Sequence, residues 1–184
     1  MKNTLIISGH TDLKNSVANK TILDTLSRLL PQAEFDLLDE RYPDFRINVP
    51  AEQARLVQAD IVVLQFPMFW YGVPSLLKRW IEDVFFYGFS HGSGDKLRGK
   101  QLVLSFTSGA PEDMYRHGGP QGYPIEEFLP PLKQLAALCG MQWAGHVYTG
   151  GVSFASRTDP HLLADMQVRA RQHAERLVAL LNTL

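Results

Sequence analysis

Residues 60–65 read DIVVLQ, and this stretch decides the fold. Its centre is an unbroken apolar run in which three of four residues are β-branched, which is typical of a strand. A strand that alternates apolar and polar residues buries one face, whereas an unbroken apolar run is buried on both. We therefore predict a strand over Asp60–Gln65 inside a parallel sheet that helices cover on both sides.

The segments on either side repeat the alternation of strand and helix. Further short strands are predicted at Thr4–Ser8, Glu34–Leu38, Gln101–Thr107 and Gln142–Thr149. Helical spacing of apolar residues predicts helices that start near Ser16, cover Ala51–Ala59, start at Pro74, cover Glu126–Cys139 and continue from Leu163 along the C-terminal segment. In the helix over Glu126–Cys139, Pro130 and Pro131 should confine the regular part to the second half. Right-handed crossovers then favour an α/β, flavodoxin-like three-layer sandwich: a five-stranded parallel sheet of order 2-1-3-4-5 with helices on both faces.

Length and composition narrow the class of protein. The 184 residues fit one domain, 1–184. Lys and Arg total 18 and Asp and Glu 19, so the basic excess of a nucleic-acid-binding module is missing and we expect no nucleic-acid partner. Apolar runs are too short for a membrane span, and one cysteine excludes an internal disulfide or a cysteine-rich zinc site. These features predict a soluble, cytoplasmic domain without a metal.

The predicted topology places a ligand at the carboxyl ends of strands 1, 3 and 4. The loop after strand 1 reads SGHTDLKNSVAN, which matches neither a dinucleotide-binding fingerprint nor a Walker A loop. A helix that starts near Ser16 would nevertheless offer free N–H groups to a phosphate, and His10, Ser16 and Asn19 could add donors. The alternative is that Asn15 or Ser16 is only an N-cap.

The two other loops carry aromatic and small polar residues. Residues 66–74 read FPMFWYGVP, where aromatic side chains at a ligand edge indicate a flat ligand, a protein partner or both, unless the loop folds into the core. After strand 4, Thr107, Ser108 and Gly109 could let the backbone approach a ring. Tyr115 and His117 could donate and accept protons, unless this loop only faces water.

The pattern as a whole resembles the flavodoxin-fold NAD(P)H:quinone oxidoreductases, and within them the ancillary subunits of bacterial glutathione-gated potassium efflux systems. The residues that carry the resemblance are Ser16–Asn19, Tyr42–Phe45, Ala51–Gln53, Pro67–Met68, Trp70–Tyr71, Leu76–Lys78, Trp80–Ile81, Leu97 and Gly99–Lys100. The similarity covers nearly the whole chain and weakens after Tyr123.

The resemblance implies bound FMN, with NAD(P)H as electron donor. It implies phosphate and ribityl contacts from His10, Ser16, Val17, Ala18 and Asn19, a ring lined by Pro67, Met68, Phe69 and Trp70, and polar ring contacts from Thr107, Ser108, Gly109 and Ala110. It also implies that Tyr115 and His117 are catalytic. Relatives often have two glycines where this chain has Gly109-Ala110, and the following Pro111 has no N–H.

Two functions follow from the resemblance. The first is ping-pong hydride transfer from NAD(P)H through FMN to a quinone, by a homodimer. The alternative is a regulatory subunit that binds the cytoplasmic domain of a potassium efflux transporter at the inner face of the membrane, with flavin mainly structural. A third reading, an electron-shuttling flavodoxin, is disfavoured because such carriers are strongly acidic and the net charge here is −1. His161 and His173 are expected on the surface.

Overall fold

The computed structural model describes residues 2–184 and contains a parallel five-stranded sheet. The strands are β1 (Thr4–Ser8), β2 (Glu34–Leu37), β3 (Ile61–Pro67), β4 (Gln101–Thr107) and β5 (Gln142–Thr149). Their order, β2-β1-β3-β4-β5, confirms the predicted topology. Every residue of β3 is buried, as the unbroken apolar run predicted.

Among the described residues, six α-helices connect and flank these strands. They are α1 (Val17–Leu29), α2 (Leu38–Arg41), α3 (Val49–Gln58), α4 (Ser75–Val84), α5 (Pro130–Leu138) and α6 (Pro160–Leu181). One face of the sheet packs against α1 and α6, and the other packs against the remaining helices, which completes the three layers. Within residues 2–184, none of these helices combines the length and the hydropathy that a membrane crossing requires.

Several element bounds differ from the prediction by a few residues, and the local sequence explains two of them. Within the segment predicted as a helix over Glu126–Cys139, the α-helix starts at Pro130, after a 3₁₀ turn at Ile125–Phe128, in agreement with the expected effect of the two prolines. Pro130 and Pro131 suit a first helical turn because their missing N–H groups would have no partner there. The strand predicted over Glu34–Leu38 ends at Leu37, where the short helix α2 begins.

His173 corrects the expectation of a surface histidine. Its side chain is fully buried, and its two ring nitrogens lie 2.8 Å from Ser105 Oγ and 2.9 Å from Thr149 Oγ1. The residue lies on the apolar stripe of α6 that also carries Ala170 and Leu177. A histidine on such a stripe can be buried when hydroxyls of the sheet satisfy both nitrogens, and sequence spacing does not reveal those partners.

All the parallel strands end at one edge of the sheet, and this edge positions the functional site. Gly9 follows β1 there, and a Cβ at this position would lie 2.6 Å from side-chain atoms of Leu77 on α4. Only glycine therefore lets the first loop leave the sheet so close to α4.

Candidate functional site

A cavity of about 480 Å³ lies at the carboxyl edge of the sheet. It brings together most of the residues that the sequence predicted as cofactor contacts: His10, Ser16, Val17, Ala18, Asn19, Pro67, Met68, Phe69, Thr107, Ser108 and Gly109. Trp70 and Ala110, the other two, line a neighbouring hollow of about 210 Å³. The two spaces share Met68, Ser108 and Gly109 as walls and form one site with two compartments.

The start of α1 supplies hydrogen-bond donors to the larger compartment. Ser16 is the N-cap, and its Oγ accepts from Asn19 N at 3.3 Å and from Asn19 Nδ2 at 3.1 Å. Because the first N–H groups of a helix lack intrahelical acceptors, those of Val17 and Ala18 are left for another partner. The hydroxyl proton of Ser16 also remains to be donated. This arrangement, with the positive end of the helix dipole, suits an anion.

Asn19 connects three elements behind this anion site. Its Oδ1 accepts from Gln65 Nε2 at 2.7 Å on β3 and from Thr107 Oγ1 at 3.3 Å on β4. Its amide nitrogen already donates to Ser16. The structure therefore gives the Asn19 side chain a supporting position between helix and sheet, and the second proton of its amide nitrogen remains for a ligand.

His10 lines the larger compartment beside the aromatic loop that follows β3. Its Nδ1 accepts from the backbone N–H of Asp12 at 2.9 Å, so the neutral ring carries its proton on Nε2. Burial lowers the pKa of His10, against the opposing charges of Asp39 and Asp12. Its ring also meets Phe69 edge-on, with centroids 5.8 Å apart. At neutral pH, His10 is thus an uncharged donor beside an aromatic ring.

The loop after β5 closes the cavity with residues that the sequence analysis missed. Val152, Ser153, Phe154 and Arg157 line it, together with Met166 of α6. The guanidinium of Arg157 stacks 3.1 Å from the centroid of Phe154, and its donation to Asn15 O at 3.4 Å places a cation beside the start of α1. The available signal was topological: β5 ends at the same edge as β1, β3 and β4.

The aromatic loop after β3 contains a tight turn with two strained residues. The backbones of Phe69 and Gly72 exchange hydrogen bonds of 3.1 Å, and the intervening Trp70 and Tyr71 have φ of 50° and 65°. This is the type I′ geometry that Asn-Gly normally occupies. Trp70 is 96% exposed, while Tyr71 stacks on Phe128 at 5.4 Å. Strain and an exposed indole at a cavity mouth together indicate a binding role.

Replacing Trp70 by Asn is expected to stabilise the protein. Asn tolerates the left-handed conformation, so the free energy of unfolding should rise by about 0.5–1 kcal/mol, and urea denaturation measures this change. Trp70→Ala is the matched control, since it removes the ring but keeps the strained conformation, and it should give no gain. Equal stabilities of the Asn and Ala variants would contradict the assignment of strain.

The loop after β4 offers fewer free donors than the sequence suggested. Thr107 Oγ1 donates to Asn19, Ser108 Oγ donates to Ala110 O at 2.9 Å, and the Ser108 N–H donates to Thr149 O at 3.1 Å. Of the backbone donors expected over residues 108–110, those of Gly109 and Ala110 therefore remain for a ligand. Pro111 ends the set because it has no N–H.

The predicted catalytic pair is divided by the structure. Tyr115 lines the smaller compartment beside Trp70 and Gln121. His117 is exposed, and its Nε2 lies 2.8 Å from Glu127 Oε1, away from both compartments. The turns after the 3₁₀ segment Glu112–Met114 direct His117 outward, and they bring Gln121 to the wall instead. The spacing of these residues in the sequence could not show that Gln121, and not His117, lines the compartment.

The fold and the site together define the class of protein. Residues 2–174 match the family described as having a flavodoxin-like fold, and the chain belongs to that family.

The relatives are more specific. The chain is 38% identical over 161 residues to the glutathione-regulated potassium-efflux system ancillary protein KefG of Enterobacter sp. (strain 638), with 87% of this chain and 86% of the relative covered. It is 37% identical over 176 residues to the uncharacterized NAD(P)H oxidoreductase YrkL of Bacillus subtilis (strain 168), with 95% of each covered. The crystal structure of general stress protein 14 from Treponema denticola, in complex with FMN, has a TM-score of 0.86 and 30% identity and covers 97% of this chain and 99% of its own. These likenesses confirm the resemblance stated from the sequence.

Proposed function

We propose that this chain is an FMN-dependent NAD(P)H oxidoreductase of the quinone reductase type. The observation that carries the proposal is the two-compartment site: an anion-binding helix start at one end and a strained aromatic loop at the other. The FMN complex of general stress protein 14 and the name of the Bacillus relative support this assignment.

The donor set at the larger compartment fits the phosphate of FMN. The N–H groups of Val17 and Ala18 and the hydroxyl of Ser16 would hold it, and Arg157 would add a compensating charge. His10 would donate from Nε2 to the phosphate or ribityl end. Asn19 would act by holding Ser16 in place.

The apolar walls fit the flat ring. Pro67, Met68, Phe69 and Trp70 would line it and exclude water, while the backbone N–H groups of Gly109 and Ala110 would meet its polar edge. Thr107 and Ser108 would support that edge from behind. When bound, FMN would supply the redox chemistry, taking up a hydride from NAD(P)H and giving two electrons to a quinone.

The proposal predicts ping-pong kinetics because donor and acceptor would occupy the same space in turn. The isolated protein, loaded with FMN, should oxidise NADH or NADPH with a benzoquinone as acceptor, and double-reciprocal plots at several quinone concentrations should be parallel. Intersecting lines would contradict the shared space. No oxidation of either nucleotide by the loaded protein would contradict the enzyme assignment itself.

Tyr115 is the proposed donor to the acceptor oxygen. Tyr115→Phe should raise the KM for quinone about 3- to 10-fold, because one neutral hydrogen bond is lost, while FMN affinity stays unchanged. Steady-state kinetics measure the effect. His117→Asn is the comparison, since His117 lies outside both compartments, and it should leave the KM unchanged; the reverse result would restore His117 to the catalytic role predicted from the sequence.

A second function is supported by the similarity to the potassium-efflux ancillary protein. As a regulatory subunit, the chain would bind an efflux transporter at the cytoplasmic face of the membrane, with flavin mainly structural. Co-purification with a transporter of that type, and potassium efflux from cells with and without this chain, test the role. Unchanged efflux together with quinone turnover would leave the enzyme as the function.

We also propose that the chain forms a homodimer. The exposed aromatic side chains Phe86 and Tyr87, together with the aromatic loop after β3, offer an apolar surface for a second copy. Light scattering of the purified protein would measure the mass, and a monomer at micromolar concentration would contradict this proposal.

A further inference from the structure

Tyr148 is a polar aromatic residue on β5 that no functional reading of the sequence used. Its phenol oxygen lies 2.6 Å from Ser108 Oγ, and Ser108 Oγ in turn lies 2.9 Å from the carbonyl oxygen of Ala110. Three residues thus form a chain of two hydrogen bonds that begins on β5 and ends in the loop after β4.

The direction of this chain follows from the number of protons. A serine hydroxyl has one proton, and Ser108 uses it toward Ala110 O, which is an acceptor only. Ser108 must then accept from Tyr148, so the phenol is the donor. Burial raises the pKa of Tyr148, while the hydrogen bond with Ser108 lowers it to a smaller extent. The phenol therefore keeps its proton throughout the physiological range.

The ring of Tyr148 is itself held firmly. It stacks on Phe106 with centroids 5.0 Å apart and meets Tyr115 edge-on at 6.1 Å. From α6, Arg176 donates to the carbonyl oxygen of Tyr148 at 2.9 Å. These contacts hold the Tyr148 side chain in one orientation, so its hydroxyl can orient the loop after β4. The Tyr148 ring also contacts Tyr115, the residue proposed to donate a hydrogen bond to the electron acceptor.

The loop that Tyr148 contacts through Ser108 carries two further free backbone donors, the N–H groups of Gly109 and Ala110. Gly109 lies between the ends of the Ser108–Ala110 hydrogen bond, and Gly151 N donates to the same Ala110 oxygen at 2.7 Å. A Gly at this position gives the backbone wide conformational freedom, so the direction of the two N–H groups depends on the hydrogen bonds on either side of it, and the bond from the Ser108 side chain is one of them.

We propose that Tyr148 is a positioning residue that, through Ser108, aims the N–H groups of Gly109 and Ala110 at the polar edge of the bound ring. The inference rests on the proposed function, since it concerns the same site. Preorganised donors stabilise charge that develops on reduction more than they stabilise the oxidised state. Loss of the phenol should therefore disfavour reduction without emptying the site.

The test compares the midpoint reduction potential and the turnover of FMN-loaded wild type, Tyr148→Phe and the control Tyr123→Phe. Tyr123 is exposed and has no contact with Ser108, so its variant should match wild type. Tyr148→Phe keeps the ring stack and should bind FMN, with a more negative potential and a kcat about tenfold lower, which is less than the loss of a whole donor causes.

Ser108→Ala provides a second, independent readout. If Tyr148 acts through Ser108, the Ser108→Ala variant and the double variant should show the same shift in potential as Tyr148→Phe, rather than the sum of two shifts. Unchanged potential in Tyr148→Phe, or additive shifts in the double variant, would overturn the inference. Should Tyr148→Phe fail to fold, an unchanged potential in Ser108→Ala would overturn it equally. Failure of the wild type to bind FMN would instead reject the proposed function, and the inference with it.

Discussion

Replacing Ser16 by Asp is expected to weaken FMN binding by at least about 100-fold, because the new carboxylate would face the phosphate at close range. The same substitution should change the free energy of unfolding of the ligand-free protein by less than about 0.5 kcal/mol, since Asp and Ser are equally good N-caps. Asp can accept both hydrogen bonds that Ser16 now accepts from Asn19. Fluorescence titration with FMN and urea denaturation measure the two quantities.

Ser16→Asn is the matched control for this prediction. Asn also caps a helix but carries no charge, so the loss of FMN affinity should not exceed about tenfold. The difference between the two variants isolates the negative charge of the ligand. Equal affinities of the Asp and Asn variants would mean that no anion binds at the start of α1, and the phosphate assignment would be wrong.

The second large effect concerns the pH dependence of stability. Two buried groups, Glu52 and His173, change the free energy of unfolding with pH in opposite directions. Glu52 is fully buried, where its carboxylate accepts from Tyr42 Oη at 2.7 Å and from Trp80 Nε1 at 2.9 Å. Burial, followed by the hydrogen bond with Asp36, raises the pKa of Glu52 to about 7. Burial, followed by the charge of Arg176, lowers the pKa of His173 to about 3.

The two shifts have opposite consequences for stability between pH 7 and pH 5. Above pH 4.5, Glu52 keeps its proton in the folded chain but loses it in the unfolded chain. Its contribution to the free energy of unfolding is therefore lost as pH rises toward 7. Below about pH 6.5, His173 is protonated in the unfolded chain but stays neutral in the folded chain. Its contribution to the free energy of unfolding is therefore lost as pH falls. Each amounts to about 2 kcal/mol over this range, and the two contributions have opposite signs.

Replacing either group should reveal the pH dependence that the other group contributes to the free energy of unfolding. Denaturant unfolding at pH 5 and pH 7 measures it. Relative to wild type, the change in free energy of unfolding from pH 7 to pH 5 should be about 2 kcal/mol more favourable in His173→Gln and about 2 kcal/mol less favourable in Glu52→Gln. The comparison uses the change with pH within each variant, so a constant cost of the substitution does not matter. Parallel pH profiles for the three proteins would contradict both assignments.

The fold could be predicted because its main signal is local. The apolar run before Gln65 predicts a strand that is buried on both faces. Because strands and helices alternate along the chain, only a few sheet topologies are then compatible with the sequence. Strand ends depended on neighbours: β3 continues through Phe66 and Pro67 because Phe106 and Thr107 of β4 pair with them. That pairing is a property of the sheet, which the run itself does not encode.

The site could be predicted only where it follows directly from a strand end. His10, Ser16 and Met68 come immediately after β1 or β3, or at the next helix start, and the structure brings them together. Arg157 and Tyr148 reach the site from β5 and the loop beyond it, through contacts with residues more than 30 positions away. His117 shows the opposite case. Its residue type and its closeness to Tyr115 in the sequence suggested a catalytic role, but its side chain points away from both compartments.

The central claim is that the cavity at the edge of the sheet holds FMN by its phosphate. The most direct measurement adds FMN or riboflavin to the purified protein, removes unbound flavin, and compares visible absorption and extracted flavin for wild type and Ser16→Asp. We predict one FMN per chain on wild type, far less riboflavin, and little of either on the variant. Wild type that retains no FMN, or that retains riboflavin equally well, would contradict the account.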